Sequence, residues 1–257
     1  MSELVQITRQ NEIAVLRLDR PAKRNALNEG AIRQLEQFFG DVPTGVKVVV
    51  IHGAGDHFCA GLDLTELSPD NSAIDTIRYS MLWYRAFERI QFGSVPVVAV
   101  MQGAVIGGGL ELACTAHIRV AERSAFYSLP EAQRGIFVGG GASVRLPRLI
   151  GMSRMSDMLL TGRTYDAAEG QHIGISQYIV PEGQGLDKGL ELAQKVAANA
   201  ELTNFAVMHA LPRIADASYE TGFLTEALMS AITKAAPEAK AGIRAFLNRK
   251  GKVDQPA

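Results

Sequence analysis

Three short apolar runs stand out in the first hundred residues: IAVLRL (13–18), VKVVVI (46–51) and VPVVAVM (95–101). The last two are continuous and rich in β-branched residues. Strands covered on both faces read this way, because neither side of the strand meets water. Apolar positions then take helical spacing in AIRQLEQFF (31–39), over a long amphipathic segment at 73–91, and in GLELAC (109–114). Strand alternating with helix predicts an α/β architecture. The segments VVVIHGAGDHFCAGLDL (48–64) and VVAVMQGAVIGGGLEL (97–112) also share one order: strand, glycine, short loop, then AGLDL against GGLEL, offset by 48 residues. A unit repeated at such a period predicts a stacked or spiral arrangement. Beyond the turn-rich PEGQGL (181–186) the pattern is helical only, over 187–199, 203–216, 222–235 and 237–249. We therefore divide the chain into a core, 1–195, and a helical C-terminal region, 196–257. A helical stretch of about 60 residues has too small a core to stand alone, so it is expected to pack on the core or on another subunit.

Composition narrows the function classes. With 257 residues, 47% hydrophobic and 21% charged, the chain can bury a sizeable core, and its formal charge of −1 offers no field to attract nucleic acid or an anionic membrane. The first residues, MSELVQITRQNEIAVLRLDR, lack the organisation of a signal peptide, and no apolar run approaches the roughly 20 residues that span a bilayer. A soluble cytoplasmic protein is expected. Cys59 and Cys114 do not make a disulfide framework and read as buried free thiols. His52, His57, His117, His172 and His209 are scattered without metal-ligand spacing, so no metal site is expected. In GAG (53–55) the third glycine of a dinucleotide fingerprint is replaced by Phe58, and no G-x-S-x-G elbow occurs. The basic group Arg244, Arg249, Lys250 and Lys252 reads by default as a solvated helix end.

One stretch remains unexplained by folding alone. In GAVIGGGLELAC (103–114), Glu111 is the only charge, and it follows three consecutive glycines. Such a run suits a backbone that must approach something closely, or a carboxylate held in a dry place. An acid in the first turn of a helix is favoured by the N-terminal N–H groups, while burial opposes its charge. Glu131, in SLPEAQRG (128–135), carries the same ambiguity between a paired structural acid and a functional one.

Taken together, LDRPAKRNAL (18–27), HFCAGLDL (57–64), VPVVAVMQGAVIGGGLELA (95–113), FYSLPEAQRGIFVGGGASVRLPRLIG (126–151), LTGRTYDAAEGQHIGISQYIV (160–180) and AFLNRK (245–250) resemble the crotonase superfamily, the enoyl-CoA hydratase/isomerase fold. The resemblance runs over nearly the whole chain in the right order. It implies a spiral of repeated ββα units with a helical C-terminal trimerisation region, assembling as trimers or dimers of trimers. It implies acyl-CoA thioester substrates and no separate cofactor, coenzyme A being part of the substrate. The shared chemistry passes through an enolate-like state whose oxygen is held by two backbone N–H groups, here those of Leu62 and Gly108. A side chain at Gly108 is expected to obstruct the thioester. These two residues are not equivalent in the internal repeat, so the repeat accounts for fold and not for site. Hydratase members use two glutamates that match Glu111 and Glu131, which favours addition of water across the 2,3 double bond of a trans-2-enoyl-CoA. An isomerase, a hydratase-lyase acting on an aromatic acyl-CoA and a non-catalytic acyl-CoA-binding protein are the alternatives. For the CoA moiety the resemblance implies Arg24, Ala26, Ala60, Leu62, Asp63, Leu64, Phe246 and Arg249. Where many members carry an acid, TAHIRVA (115–121) has His117, expected to support the framework. In TELSPDNSAIDTIRYSMLWYRAF (65–87), Trp83, Tyr84 and Phe87 read either as core or as the lining of an aromatic acyl pocket.

Overall fold

A computed structural model of the chain describes residues 4–66 and 70–253, with side chains through residue 247. Residues 67–69 of the expected pocket segment lie outside the described residues. The chain divides into two compact units, 1–196 and 197–257.

The first unit is built on a six-stranded sheet. Strands β1 (Val5–Gln10) and β2 (Ile13–Leu18) form an antiparallel hairpin, whose turn is made by Asn11 in the left-handed region at φ 55°. Asparagine tolerates that region better than most residues. Beside β2 lie β3 (Val48–Gly53), β4 (Val97–Met101), β6 (Ile118–Glu122) and β9 (Tyr178–Val180), all parallel, with Val15, Val50, Val98 and Ile118 in one row of the register. The valine-rich runs are buried, as their composition demands. A second, shorter layer holds β5 (Ala104–Ile106), β7 (Phe126–Ser128) and β8 (Tyr165–Asp166) and is extended by single bridges between Leu27 and Leu62 and between Cys59 and Val105. Each turn of the chain thus lays one strand in the large sheet and a second, shorter piece in the small layer before a helix follows. The helices α1 (Glu29–Gly40), α2 (Ala73–Gln91) and α3 (Gly108–Ala113) close the first three turns. This is the spiral of ββα units that the resemblance implies.

Local chemistry sets the helix ends. Asn28 caps α1 by accepting the Ala31 N–H, and Ser72 caps α2 by accepting that of Asp75. The buried side of α2, Leu82, Trp83, Ala86, Phe87 and Ile90, follows helical spacing. Helices α4 (Ala142–Ile150), α5 (Met152–Thr161), α6 (Ala167–Ile173) and α7 (Gly185–Ala197) complete the unit, and α7 is tied to the sheet by the Gly185 N–H donating to Glu122 at 2.9 Å. The strand expected at 46–51 begins two residues later, because the Val46 N–H closes a turn on Pro43.

The second unit is helical: α8 (Glu201–Phe205), a π-helical turn (Ala206–Ala210), α9 (Leu211–Ala215), α10 (Tyr219–Ala235) and α11 (Pro237–Val253). The helix expected over 203–216 is therefore interrupted. Pro212 has no N–H to continue the ladder, and the wider turn lies just before it. Among the described residues no helix is long and apolar enough to cross a membrane.

Candidate active site

Two loops meet edge to edge at the end of the small layer. The Cys59 N–H donates to Ala104 at 3.0 Å, and the Ile106 N–H donates back to Cys59 at 3.0 Å. The first loop is pinned by LDRPAKRNAL. The Ala60 N–H donates to the Arg24 carbonyl at 2.9 Å, the Leu27 N–H to Gly61 at 2.7 Å and the Asp63 N–H to Leu27 at 2.8 Å. Arg24 and Asn25 both lie at positive φ, 50° and 56°. The buried Asn25 amide holds that turn, donating to Ala54 at 2.8 Å and His57 at 2.7 Å. Beyond these contacts the Gly61 N–H points at Cys59 Sγ, 3.3 Å away. The next donor along, the Leu62 N–H, has no acceptor among the described residues.

The second loop turns at Gly107, φ 53°, ψ −121°, a combination open to glycine. Gly108 opens α3, so its N–H has no helical carbonyl behind it and no other acceptor among the described residues. The two free donors are close neighbours. A Cβ placed on Gly108 would lie 3.4 Å from the Leu62 nitrogen, and one on Gly61 would lie 3.0 Å from the Gly108 nitrogen. At 108 glycine is also required by packing: a Cβ there would meet the Trp83 indole at 2.7 Å. At 109 a Cβ would run into the Cys59 carbonyl, which is how α3 comes so close to the first loop.

Glu111, one turn into α3, is 4% exposed, and its Oε1 accepts N–H groups from Gly140 at 2.8 Å and Ala142 at 2.9 Å. Burial pushes its pKa up, and those two N–H groups oppose the rise. The donating segment is braced by Arg145, which donates to Gln91 at 2.6 Å and to the Gly140 carbonyl at 3.2 Å. Glu131 follows β7 and is 9% exposed. Its Oε2 is buried without a hydrogen-bond partner among the described residues. Burial, with the charge of Glu111 adding to it, pushes the Glu131 carboxyl up to about 7. A Cβ on Gly107 would lie 2.6 Å from Glu131 Oε1, so the turn before α3 also makes room for the second acid.

These groups line one cavity of about 200 Å3 that includes Gly61, Leu62, Gly107, Gly108, Glu111 and Glu131. Ala60 and Leu64 lie on its wall as well, whereas Arg24, Ala26 and Asp63 do not. The Asp63 carboxylate faces Arg20 at 2.8 Å and Lys23 at 3.6 Å, and the Arg20 and Thr65 hydrogen bonds hold its pKa down at about 2. That carboxylate is engaged in holding the loop. Phe246 is exposed on α11 in the other unit, and the side chain of Arg249 lies outside the described residues.

The three aromatic residues of α2 part company. Phe87 is wholly buried in the core, and Tyr84 is 36% exposed and off the cavity. Trp83 alone of the three lines it. His117 accepts the Val97 N–H at Nδ1, 3.0 Å, and its Nε2 faces the Gln91 carbonyl at 3.0 Å, so the network assigns the neutral tautomer with the proton on Nε2. It ties the end of α2 to the start of β4. The thiols of Cys59 and Cys114 are buried, with pKa values pushed up to about 12 and about 11. No group of three His, Cys, Asp or Glu side chains able to hold a metal ion occurs among the described residues. A second, polar cavity of about 440 Å3 lies between α5 and α6, where Arg163 pairs with Asp157 and with Glu169, each at 3.3 Å.

Comparison with known proteins matches the chain to a family. The model of the enoyl-CoA hydratase/isomerase family matches residues 8–254. The chain is 34% identical to the 2,3-dehydroadipyl-CoA hydratase of Escherichia coli strain K12, covering 97% of each. It is 32% identical to the enoyl-CoA hydratase EchA19 of Mycobacterium tuberculosis, covering 95% of this chain and 93% of that one. A crystal structure of a protein from Rhodopseudomonas palustris CGA009 superposes with a TM-score of 0.94 at 55% identity, covering 97% of this chain and 96% of the other.

Proposed function

The chain belongs to the enoyl-CoA hydratase/isomerase family, and we propose that it adds water across the 2,3 double bond of a trans-2-enoyl-CoA at the cavity between Glu111 and Glu131. The observation that carries this reading is the convergence of two buried acids and two uncommitted backbone N–H groups, those of Leu62 and Gly108, on one cavity. The hydratase names of relatives at 34% and 32% identity support the same reaction class.

The chemistry follows from what each group has to spare. The thioester oxygen sits between the Leu62 and Gly108 N–H groups, which strengthen their hold as negative charge builds on it. Donors fixed beforehand act most where charge develops, and losing one costs about 10²- to 10³-fold in rate. Glu111, whose Oε1 accepts the Gly140 and Ala142 N–H groups that favour its anion, takes a proton from the attacking water as the water oxygen bonds to Cβ. Glu131, with its pKa at about 7 and a bare buried oxygen, holds the proton that goes to Cα. The π electrons of the double bond pass through the enolate and return to form the Cα–H bond. The cycle closes when the proton on Glu111 returns to Glu131, and the mutual repulsion of the two acids favours one shared proton.

Coenzyme A enters as part of the substrate, and the reaction as written calls for no metal or other cofactor. Ala60, Leu62 and Leu64 border it on the cavity wall, and Arg24, Ala26 and the Asp63 main chain continue that edge. Phe246 and Arg249 are assigned to CoA by the family resemblance. The chain assembles as a trimer or a dimer of trimers. The test is turnover of crotonyl-CoA, followed by loss of the conjugated thioester's ultraviolet absorbance. Glu111→Gln and Glu131→Gln are each expected to lose about 10²- to 10⁴-fold in kcat while still binding CoA thioesters. Unchanged turnover in both variants would sink the two-acid mechanism.

A further inference from the structure

Trp83 lines the cavity that holds Glu111 and Glu131. Its six-membered ring edge lies across the two glycines that serve the reaction: a Cβ on Gly108 would fall 2.7 Å from Cζ3 and 2.8 Å from Cη2, and one on Gly140 would fall 3.0 Å from Cε3. The first glycine carries an N–H proposed for the thioester oxygen, and the second carries an N–H that holds Glu111. The indole therefore borders the cavity beside Gly108 and Gly140.

It is also held firmly. Trp83 is 4% exposed and packs edge-on against Phe87, ring centroids 5.4 Å apart, and against Tyr79 at 6.2 Å. Phe87 is fully buried, and Ala86 and Ile90 are buried on the same face of α2, so the indole sits on a packed part of that helix. The cavity wall also includes Thr76, Tyr79 and Ser80 of α2, Arg134, and the Ile136–Phe137 loop, where Phe137 is 69% exposed.

We propose that Trp83 sets the acyl chain length, closing the deep end of the cavity so that short enoyl groups are accepted and long ones are refused. The inference rests on the thioester placement of the preceding section. Close-packed walls discriminate by size because an oversized chain must force side chains off their preferred positions, and even one methylene in a tight pocket is worth about 10- to 200-fold in selectivity.

The test compares wild type with Trp83→Leu and Trp83→Ala on crotonyl-CoA and trans-2-decenoyl-CoA. It reads the ratio of the two kcat/KM values, which a partly misfolded preparation leaves unchanged. Wild type is expected to favour the four-carbon substrate by at least about tenfold, the difference lying in KM, and the ratio is expected to fall by at least about tenfold in Trp83→Ala, with Trp83→Leu between. Calorimetric Kd values for butyryl-CoA and decanoyl-CoA should show the same shift. They read chain length without turnover, so the length claim is decided even if the hydration reading fails. Equal use of both chain lengths by wild type, or an unaltered ratio in both variants, overturns the proposal. Loss of activity on both substrates in parallel marks Trp83 as merely structural and overturns it too.

Discussion

At the scale of the residue, Glu131 is costly to fold. A carboxyl with a folded pKa of about 7 binds its proton more tightly in the native state than in the unfolded chain, where a glutamate titrates near about 4.3. Its contribution to stability is full below the unfolded value, declines as pH rises from about 4 to about 7, and is lost above that. Glu131→Gln removes the group that titrates. The variant's stability relative to wild type should therefore grow through that window and level off at roughly 1–3 kcal/mol above pH 7, read by urea denaturation at a series of pH values. A constant difference from pH 4 to pH 8 would contradict the raised pKa. Glu111 could be picked out in the sequence because it is the one charge in an apolar run. Its partners could not, because Gly140 and Ala142 act through main-chain N–H groups that any residue carries. Trp83 was ambiguous for a related reason: its spacing to Phe87 is that of a core helix face, and only the position of Gly108 and Gly140 against its ring sets it on the cavity.

At the scale of the element, α3 has six residues, too few to hold a helix by its own hydrogen bonds. Packing holds it, and glycine at 109 lets it lie against the Cys59 carbonyl. Gly109→Ala forces the two loops apart, so we expect a loss of about 1–3 kcal/mol in thermal or urea unfolding together with a larger loss of hydration, since the Leu62 and Gly108 donors separate. Stability and turnover equal to wild type would show that the close approach is dispensable. The same paired loops explain what sequence could and could not show. LDRPAKRNAL is recognisable as a motif, yet its work is done by the Arg24 carbonyl and the Leu27 main chain, supported by the left-handed turn at Arg24 and Asn25. The short strands β5, β7 and β8 escape an apolar-run reading because two or three residues are too few to show any period.

At the scale of the whole molecule, the repeat of valine-rich strand, loop and helix was visible as text because each turn of the spiral faces the same demand, a strand buried on both sides. The site was less visible because it uses unlike parts of successive turns: a loop after one strand, the start of a helix after the next, and an acid after a third. The second unit presents another demand. Along α10, Tyr219, Phe223, Leu224 and Leu228 are exposed, from 55% to 86%. Apolar surface repeated along one helix is available for association, as the proposed trimer requires. Light scattering is expected to return three or six times the 27.7 kDa chain mass, falling in Leu228→Glu; a single-chain mass for wild type would contradict the assembly.

The central claim is that water is added across a conjugated thioester, with its oxygen bound at Cβ and a proton delivered to Cα. Mass spectrometry of the product formed from crotonyl-CoA in water enriched in oxygen-18 and deuterium reads both events at once. The account predicts one solvent oxygen on Cβ and one solvent deuterium on Cα. A product that has shifted its double bond without taking up oxygen, or substrate recovered unchanged, would contradict it.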